Sequence, residues 1–227
     1  MTAILFDLDD TLYPEDTYVR GGFDAVATHA ARQGWARSAP EARQHLVRLL
    51  ARDGRGRVFD AFLEEAGVHS EARAQEMLHV YRTHTPSIRT YADVVPVLRE
   101  LREHGVPTGL VTDGLASVQE RKVSALGIQA LVDVVVCTGD LGDGLAKPSE
   151  VPFLVALSRL AAPVVGSVYV GNDPRKDFVA PRRLGMSAIH VRRDGAPQAE
   201  PPTPAHEAHF TIAGLGELLE VCRRKAS

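Results

Sequence analysis

The side chains best suited to chemistry in this 227-residue chain are carboxylates, a hydroxyl and a lysine that follow short apolar segments. Asp7 and Asp9 come directly after the apolar run 3–6. Ligands of open parallel sheets bind beyond the carboxyl ends of the strands. A bend after Asp7 would let its carboxylate and the main-chain carbonyl of Asp9 share one cation, which leaves the Asp9 carboxylate free for proton transfer. The alternative is that the Asp and Thr residues here only cap a turn or a helix.

Two further positions are suited to binding a phosphate group. Thr112, Asp113 and Gly114 follow the apolar run 106–111, and a hydroxyl next to main-chain N–H groups at a helix start forms an anion site. Lys147 precedes a proline that fits the first turn of a helix, and its ammonium can neutralise phosphate oxygens and keep a nucleophile ionised. Each position also has an ordinary explanation, because Thr112 could be an N-cap and a lone lysine is usually solvated.

Residues 171–177 (Gly-Asn-Asp-Pro-Arg-Lys-Asp) follow the predicted strand 167–170 and offer oxygen ligands. Magnesium accepts carboxylate and amide oxygens, which makes Asn172, Asp173 and Asp177 candidate metal ligands. Asp173 followed by a proline also fits a capped helix start. All these groups lie at strand ends or helix starts of one predicted sheet, so convergence on one site explains them better than separate caps do.

An alternation of strands and helices is predicted to position these groups. Apolar runs without polar alternation are typical of strands buried on both faces, and segments with one apolar helical face lie between them. This alternation predicts an α/β fold with a doubly wound parallel sheet of about six strands. The predicted strands are 3–6, 106–111, 132–136, 167–170, 187–191 and 209–212, and the predicted helices are 93–104, 116–126, 150–161, 174–184 and 214–224.

The segment 14–86 interrupts the alternation, because it contains no convincing strand. Its pattern predicts helices at roughly 17–34, 39–53, 57–66 and 70–84. Ser38 and Glu41 have the spacing of a capping box at the start of the second of these helices. We therefore expect an all-helical domain, 16–86, inserted into an α/β core that 1–15 and 87–227 form.

Taken together, the motifs resemble those of the haloacid dehalogenase (HAD) superfamily over nearly the whole chain. Asp7, Asp9 and Thr11 match its first motif, Thr112 its second, Lys147 its third and 171–177 its fourth. The resemblance implies a Rossmann-like core with strand order 5-4-1-2-3, and the helical insertion is similar to the family's C1-type cap. The chain departs from the family pattern at one position, since Asn172 stands where the family usually has Asp and Asp173 follows one place later. Charge balance favours Asp173 as the ligand, because Asp7 and one further carboxylate would balance a dication.

The resemblance implies a magnesium-dependent phosphatase. Asp7 would attack phosphorus to form an aspartyl-phosphate, and Asp9 would protonate the leaving group and then take a proton from water. The expected substrate is a small phosphorylated metabolite, and nucleotide monophosphates, sugar phosphates and phosphoglycolate all stay open. The residues that the resemblance assigns are Asp7, Asp9 and Lys147 for catalysis, Thr112, Asp113, Gly114 and Lys147 for phosphate binding, and Asp7, Asp9, Asn172, Asp173 and Asp177 for Mg²⁺.

Individual residues argue for or against the other functions found in this superfamily. Hydrolytic dehalogenases lack the second carboxylate, so Asp9 argues against them. A phosphonatase would need a lysine in the cap, and residues 14–92 contain none. A phosphomutase or another phosphotransferase keeps both aspartates and stays open. A non-catalytic binding or sensor domain is favoured by Asn172 alone.

Composition excludes several classes of protein. The net charge of −3 provides no basic footprint for nucleic acid, and no apolar stretch approaches the roughly 18 residues of a membrane helix. Two cysteines, Cys137 and Cys222, are too few for a disulfide scaffold, so we expect a cytoplasmic protein. The oligomeric state is not indicated. Only four of the 26 basic residues are lysines, which we attribute to genome composition; they are Lys122, Lys147, Lys176 and Lys225.

Overall fold

The computed structural model describes residues 2–220, and its main feature is a sheet of six parallel strands in the order β3-β2-β1-β4-β5-β6. The strands are β1 (Ile4–Phe6), β2 (Thr108–Thr112), β3 (Val134–Cys137), β4 (Val168–Gly171), β5 (Ser187–Val191) and β6 (Phe210–Ile212). The parallel α/β sheet and the central place of the first strand are thereby confirmed, with a sixth strand at the edge.

The first strand is central because it can be covered on every side. Its residues are all buried, and none of them is polar. Ile4 pairs with Thr108 of β2 on one side and with Val168 of β4 on the other. The pairing continues one residue past the strand, where Asp7 N donates to the Val170 carbonyl at 2.9 Å. The residues that follow β1 therefore emerge in the middle of the sheet edge.

Eight helices are assigned in the described part of the chain. They are α1 (Glu15–Arg32), α2 (Ala39–Asp53), α3 (Val58–Glu65), α4 (Glu71–Thr83), α5 (Val94–Glu103), α6 (Ala116–Leu126), α7 (Val151–Arg159) and α8 (Val179–Arg183). The α6 helix ends as predicted at Gly127, whose φ of 67° is the left-handed conformation that glycine adopts without a Cβ clash. None of the helices in residues 2–220 is long and apolar enough to cross a membrane.

The chain divides into two compact units. The sheet unit takes in the described parts of Met1–Glu15 and Ile88–Ser227, and the helical unit is Asp16–Ser87. The helical unit has a core of its own, to which Phe23, Leu46, Phe62 and Met77 contribute. Its α2 helix starts with the predicted cap, since Ser38 Oγ accepts a hydrogen bond from the Glu41 N–H at 3.4 Å.

The chain leaves and re-enters the sheet unit at neighbouring points. Tyr91 N donates to the Leu12 carbonyl at 3.0 Å. Arg193, which is 5% exposed, donates from Nε to the Thr11 carbonyl at 3.0 Å and from Nη1 to Asp93 Oδ2 at 2.7 Å. The buried Arg193 guanidinium thus binds the segment that leaves the sheet unit and the segment that returns to it, just after the end of β5.

One predicted helix start is wrong, and one proline lies outside the helix turn predicted for it. The predicted helix 174–184 is reduced to α8, because the Asp177 carboxylate accepts the N–H groups of Asn172 and Asp173 and holds residues 173–177 in a single turn. Pro148 does not lie in the first turn of α7, which begins three residues later at Val151 and has Pro152 in its first turn. Ser149 N instead donates to the Ala146 carbonyl and closes a turn.

The predicted final helix, 214–224, falls only partly within the described residues. A 3-10 turn, Leu215–Glu217, is followed there by helical residues at 218–220. Cys222 and Lys225 lie outside the described residues. Cys137 is buried at the end of β3.

Candidate active site

Asp7 lies at the centre of the candidate site, in contact with a buried lysine. It is 2% exposed, and its Oδ1 accepts a hydrogen bond from Lys147 Nζ at 2.8 Å. The same ammonium donates to Asp177 Oδ1 at 2.8 Å and to the Tyr169 hydroxyl at 2.9 Å. Lys147 thus uses its three donors on three partners. The Asp7 Oδ2 atom accepts no hydrogen bond from residues 2–220, so it is the oxygen available to a substrate or a metal.

The charges of this group depend on burial and on one another. Burial raises the pKa of Asp7 to about 6, although Lys147 opposes this rise. Burial alone would lower the pKa of Lys147, but the charges of Asp177 and Asp7 outweigh it and raise that pKa above its usual value. Lys147 is therefore charged throughout the physiological range, and Asp7 is mostly ionised at neutral pH.

The bend after Asp7 turns the second carboxylate toward a different partner. Leu12 N donates to the Leu8 carbonyl at 2.9 Å, and Asp10 adopts a positive φ of 53°, which aspartate tolerates better than most residues. Lys122 Nζ then lies 2.8 Å from Asp9 Oδ1 and 3.0 Å from Oδ2. The two carboxylates are thereby held by two different lysines.

Hydrogen bonds also fix the ionisation of Asp9. The Tyr13 hydroxyl donates to Oδ1, and Gln119 Nε2 donates to Oδ2 at 3.3 Å. Burial favours the neutral acid, but Lys122 and these two donors outweigh it, and the pKa of Asp9 lies below its usual value. The ionised form can take a proton from water. Giving a proton to a leaving group requires the acid, which this arrangement disfavours.

The predicted phosphate-binding residues lie at the end of β2. Thr112 is fully buried, and its Oγ1 accepts a hydrogen bond from Gln119 Nε2. The Asp113 carboxylate is used internally, since its Oδ1 accepts from Lys147 N at 3.0 Å and its Oδ2 from Lys176 Nζ at 3.0 Å. Gly114 N donates to Thr138 Oγ1 at 3.4 Å. The Asp113 carboxylate is therefore engaged within the protein and is not among the groups here that suit a phosphate.

The three candidates in 171–177 play different parts. Asp177 is fully buried, pairs with Lys147 and accepts two main-chain N–H groups, so it organises the loop. A Cβ at Gly171 would lie 2.5 Å from Asp177 Oδ2, which explains the glycine. Asp173 binds Arg175 through Nε at 2.8 Å and through Nη2 at 2.7 Å. Burial would raise the pKa of Asp173, but the Arg175 guanidinium outweighs it and lowers the pKa. The Asn172 Oδ1 accepts from Thr11 Oγ1 at 3.4 Å.

The oxygen atoms at this edge of the sheet fit a magnesium ion. No group of three or more His, Cys, Asp or Glu within residues 2–220 has the geometry of a metal site. Two donors lie after the neighbouring strands β1 and β4, namely the Oδ2 atom of Asp7 and the Asn172 amide oxygen. Magnesium in proteins is commonly held by one or two carboxylates together with waters and substrate phosphate, so this set suits it. Geometry favours Asn172 over Asp173, because Arg175 already binds both oxygens of Asp173.

Several residues of the site were not predicted. Gln119 and Lys122 look like one face of an ordinary helix in the sequence, and Tyr169 looks like an apolar strand residue. Lys176 follows Arg175 in a charged turn and has no distinguishing spacing. The one signal that could have identified both lysines is the rarity of lysine in this chain.

The chain is similar in sequence to a known family and to known proteins. A model of the family described as haloacid dehalogenase-like hydrolase matches residues 1–185. The chain is 32% identical over 230 residues to a glyceraldehyde 3-phosphate phosphatase of Methanopyrus kandleri, and the match covers 99% of this chain and 98% of that protein.

Two solved structures are similar over almost their full lengths. A HAD phosphatase from Thermococcus onnurineus matches with a TM-score of 0.66 and 26% identity over 97% of each chain. A 2-haloacid dehalogenase from Pseudomonas syringae pv. Tomato DC3000 matches with a TM-score of 0.68 and 29% identity over 99% of each chain.

Proposed function

Because the chain belongs to the haloacid dehalogenase-like hydrolases, and is therefore an enzyme, we propose that it hydrolyses a small phosphomonoester through an aspartyl-phosphate on Asp7. The observation that carries this proposal is the arrangement of the two carboxylates. Asp7 is buried against Lys147 with one oxygen available, and Asp9 is held separately by Lys122. A nucleophile and an acid–base group two residues apart are the minimum that a two-step hydrolysis needs.

The residues of the chain divide the two steps between them. Asp7 Oδ2 attacks phosphorus and the bond to the leaving oxygen breaks, while that oxygen takes a proton from the minor acid form of Asp9. Lys147 keeps Asp7 ionised for the attack. The Thr112 hydroxyl and the N–H groups after it bind the phosphate oxygens, and the positive charge of Lys147 offsets their negative charge. Asp9 then takes a proton from the water that attacks the aspartyl-phosphate, which restores Asp7 and releases inorganic phosphate.

Mg²⁺ bound by Asp7, the Asp9 carbonyl and Asn172 would offset the charge of the nucleophile and the phosphate, which otherwise repel. Asp177 acts through the loop and through Lys147, and Asp113 ties the loop after β2 to Lys147 and Lys176. The similarity to a glyceraldehyde 3-phosphate phosphatase supports a small phosphorylated metabolite as the substrate class. We therefore place glyceraldehyde 3-phosphate in the first panel of esters to be assayed.

A dehalogenase is the second candidate, because a 2-haloacid dehalogenase is among the similar structures. Asp9 argues against it, since displacement of a halide by a carboxylate requires no proton donor. Release of chloride from 2-chloropropionate, in an assay without metal, would favour this second candidate over the phosphatase.

Replacement of the nucleophile tests the phosphatase proposal. Asp7→Asn removes the attacking carboxylate, so Mg²⁺-dependent turnover of 4-nitrophenyl phosphate should fall by roughly three orders of magnitude or more. Asp24→Asn, an exposed carboxylate of the helical unit, is the matched control and should keep full activity. Retention of more than a tenth of the activity in Asp7→Asn would rule out the covalent mechanism.

A further inference from the structure

All three lysines in the described part of the chain lie at the candidate active site. Only four of the 26 basic residues of the sequence are lysines, so arginine is used wherever either residue would serve. Lys147 donates to Asp7, Lys122 to Asp9 and Lys176 to Asp113. Lysine carries a compact ammonium whose donors rotate freely, whereas the planar guanidinium is larger and fixed in shape. The concentration of lysine at one place indicates that the site needs ammonium groups in particular, and only Lys147 acts on the nucleophile and the phosphate in the function proposed above.

Lys122 has the best-defined contacts of the other two. Its side chain is 5% exposed, and its ammonium lies within 3.0 Å of both oxygens of Asp9. An ammonium group that contacts both oxygens of an aspartate restricts rotation about the bond between its Cβ atom and its carboxylate carbon. Lys176, in contrast, is one-third exposed and reaches one oxygen of Asp113.

Gln119 strengthens this restriction from the preceding turn of α6. Its Nε2 donates to Asp9 Oδ2 at 3.3 Å and to Thr112 Oγ1. Residues three apart on a helix lie on the same face, so α6 presents Gln119 and Lys122 together. One helix face thereby aligns the proton-transfer carboxylate after β1 with the phosphate-binding hydroxyl at the end of β2.

We propose that Lys122, together with Gln119, is a positioning residue that fixes Asp9 for proton exchange in the second half of the reaction. The inference rests on the proposed function. In that half, the water oxygen bonds to phosphorus, Asp9 takes one proton from the water, and the phosphorus–oxygen bond to Asp7 breaks with both electrons going to Asp7. Groups of this kind act efficiently only when held within about 0.5 Å of the productive position.

The test uses Lys122→Met and 4-nitrophenyl phosphate with saturating Mg²⁺. Nitrophenolate leaves without a proton, so formation of the phosphoenzyme should be nearly normal, while its hydrolysis should slow. We expect kcat to fall roughly tenfold to a hundredfold, with a parallel fall in KM. The phosphorylated enzyme should accumulate and be visible as the mass of one phosphoryl group after acid quenching. Lys122→Gln keeps one N–H donor and should accumulate less.

Two comparisons separate positioning from general damage. Lys176→Met removes a lysine that contacts Asp113 and not Asp9, so it should not cause phosphoenzyme to accumulate. In an Asp9→Asn background, adding Lys122→Met should lower kcat less than about threefold, because the group that it positions is gone.

Each outcome decides a different point. A wild-type enzyme without Mg²⁺-dependent turnover of any ester in the panel overturns the proposed function and this inference together. An active wild type combined with Lys122→Met that accumulates no phosphoenzyme, or with losses that add fully in the double variant, overturns the positioning role alone. Should Lys122→Met fail to fold, the same measurements on Lys122→Gln decide the matter.

Discussion

The helical unit and the sheet unit pair opposite charges in different ways. In the helical unit, Arg43 pairs with Asp24 at 2.5 Å, with the two side chains 43% and 57% exposed. Around the candidate site of the sheet unit, Lys147 pairs with Asp7 at 2.8 Å, with the two side chains 0% and 3% exposed. The distances differ little, whereas the surroundings differ completely.

The surroundings decide what each pair contributes. The two charges of an exposed pair stay in contact with water, which screens their attraction. Such a pair stabilises the folded state by about 0–1 kcal/mol. A buried pair has lost its water, so removing one partner leaves an uncompensated charge and costs about 3–5 kcal/mol. Distance alone therefore does not identify the ion pairs that matter in this chain, and burial does.

The largest expected effect is that of Lys147→Met, which breaks the buried group. Asp7 and Asp177 lose their shared ammonium, so the free energy of unfolding at pH 7 should fall by about 3–5 kcal/mol. Urea unfolding followed by circular dichroism measures the change. Fluorescence of Trp35, the single tryptophan, follows the helical unit separately and should shift much less.

The sign of the pH dependence sharpens this prediction. Burial already raises the pKa of Asp7 to about 6 in the presence of Lys147, and the loss of that cation raises it further. A carboxyl whose folded-state pKa lies above its unfolded value destabilises the fold when ionised, and the penalty disappears as the pH falls. The deficit of Lys147→Met should therefore shrink between pH 7 and pH 5. A deficit that is constant over this range would show that lost packing, not charge, is responsible.

An intermediate effect is expected at the proposed metal ligands. Asn172→Asp adds a charge to the donor set, so the Mg²⁺ concentration for half-maximal activity should fall, by roughly tenfold. Asp173→Ala should leave that concentration almost unchanged and should cost about 1 kcal/mol of stability through loss of the turn cap. Magnesium titrations of the two variants measure both effects. A steep rise in the magnesium requirement of Asp173→Ala would instead assign the ligand to Asp173.

The smallest effect is expected at the exposed pair of Arg43 and Asp24 in the helical unit. Arg43→Ala removes an exposed partner, so the Trp35 unfolding transition should shift by less than about 0.5 kcal/mol, and by less still in 1 M salt. The double variant with Asp24→Ala isolates the pair energy. A coupling above about 2 kcal/mol would contradict the distinction between the two units.

Periodicity alone predicted the elements whose packing is regular. The segments 116–126 and 187–191 coincide with α6 and β5, since a buried face repeats along each of them. The prediction was wrong at 174–184, where a buried Asp177 side chain accepts the N–H groups of the two residues just before the segment. Propensity describes the main chain, and a single buried side chain was enough to override it.

The candidate site shows the same division. The apolar runs predict which residues stand at strand ends. Because a parallel sheet brings those ends to one edge, the sequence also predicts that these residues lie close together. Partners far apart in sequence were not predictable in this way, and Lys122 lies 113 positions from the Asp9 that it contacts. A lysine on the buried face of a helix has the same sequence pattern as one on the exposed face, and only the packed fold distinguishes them.

The hydrogen bond between Leu12 and Tyr91 has a consequence for the evolution and engineering of this enzyme. The segment that departs at Leu12 has to return to a point one hydrogen bond away, whatever its length. For such a closed segment, each doubling of length costs only about 0.6 kcal/mol of closure entropy. Inserted domains are tolerated where the two ends lie this close. The helical unit can thus be exchanged for one of very different size while the main chain around Asp7 stays as it is.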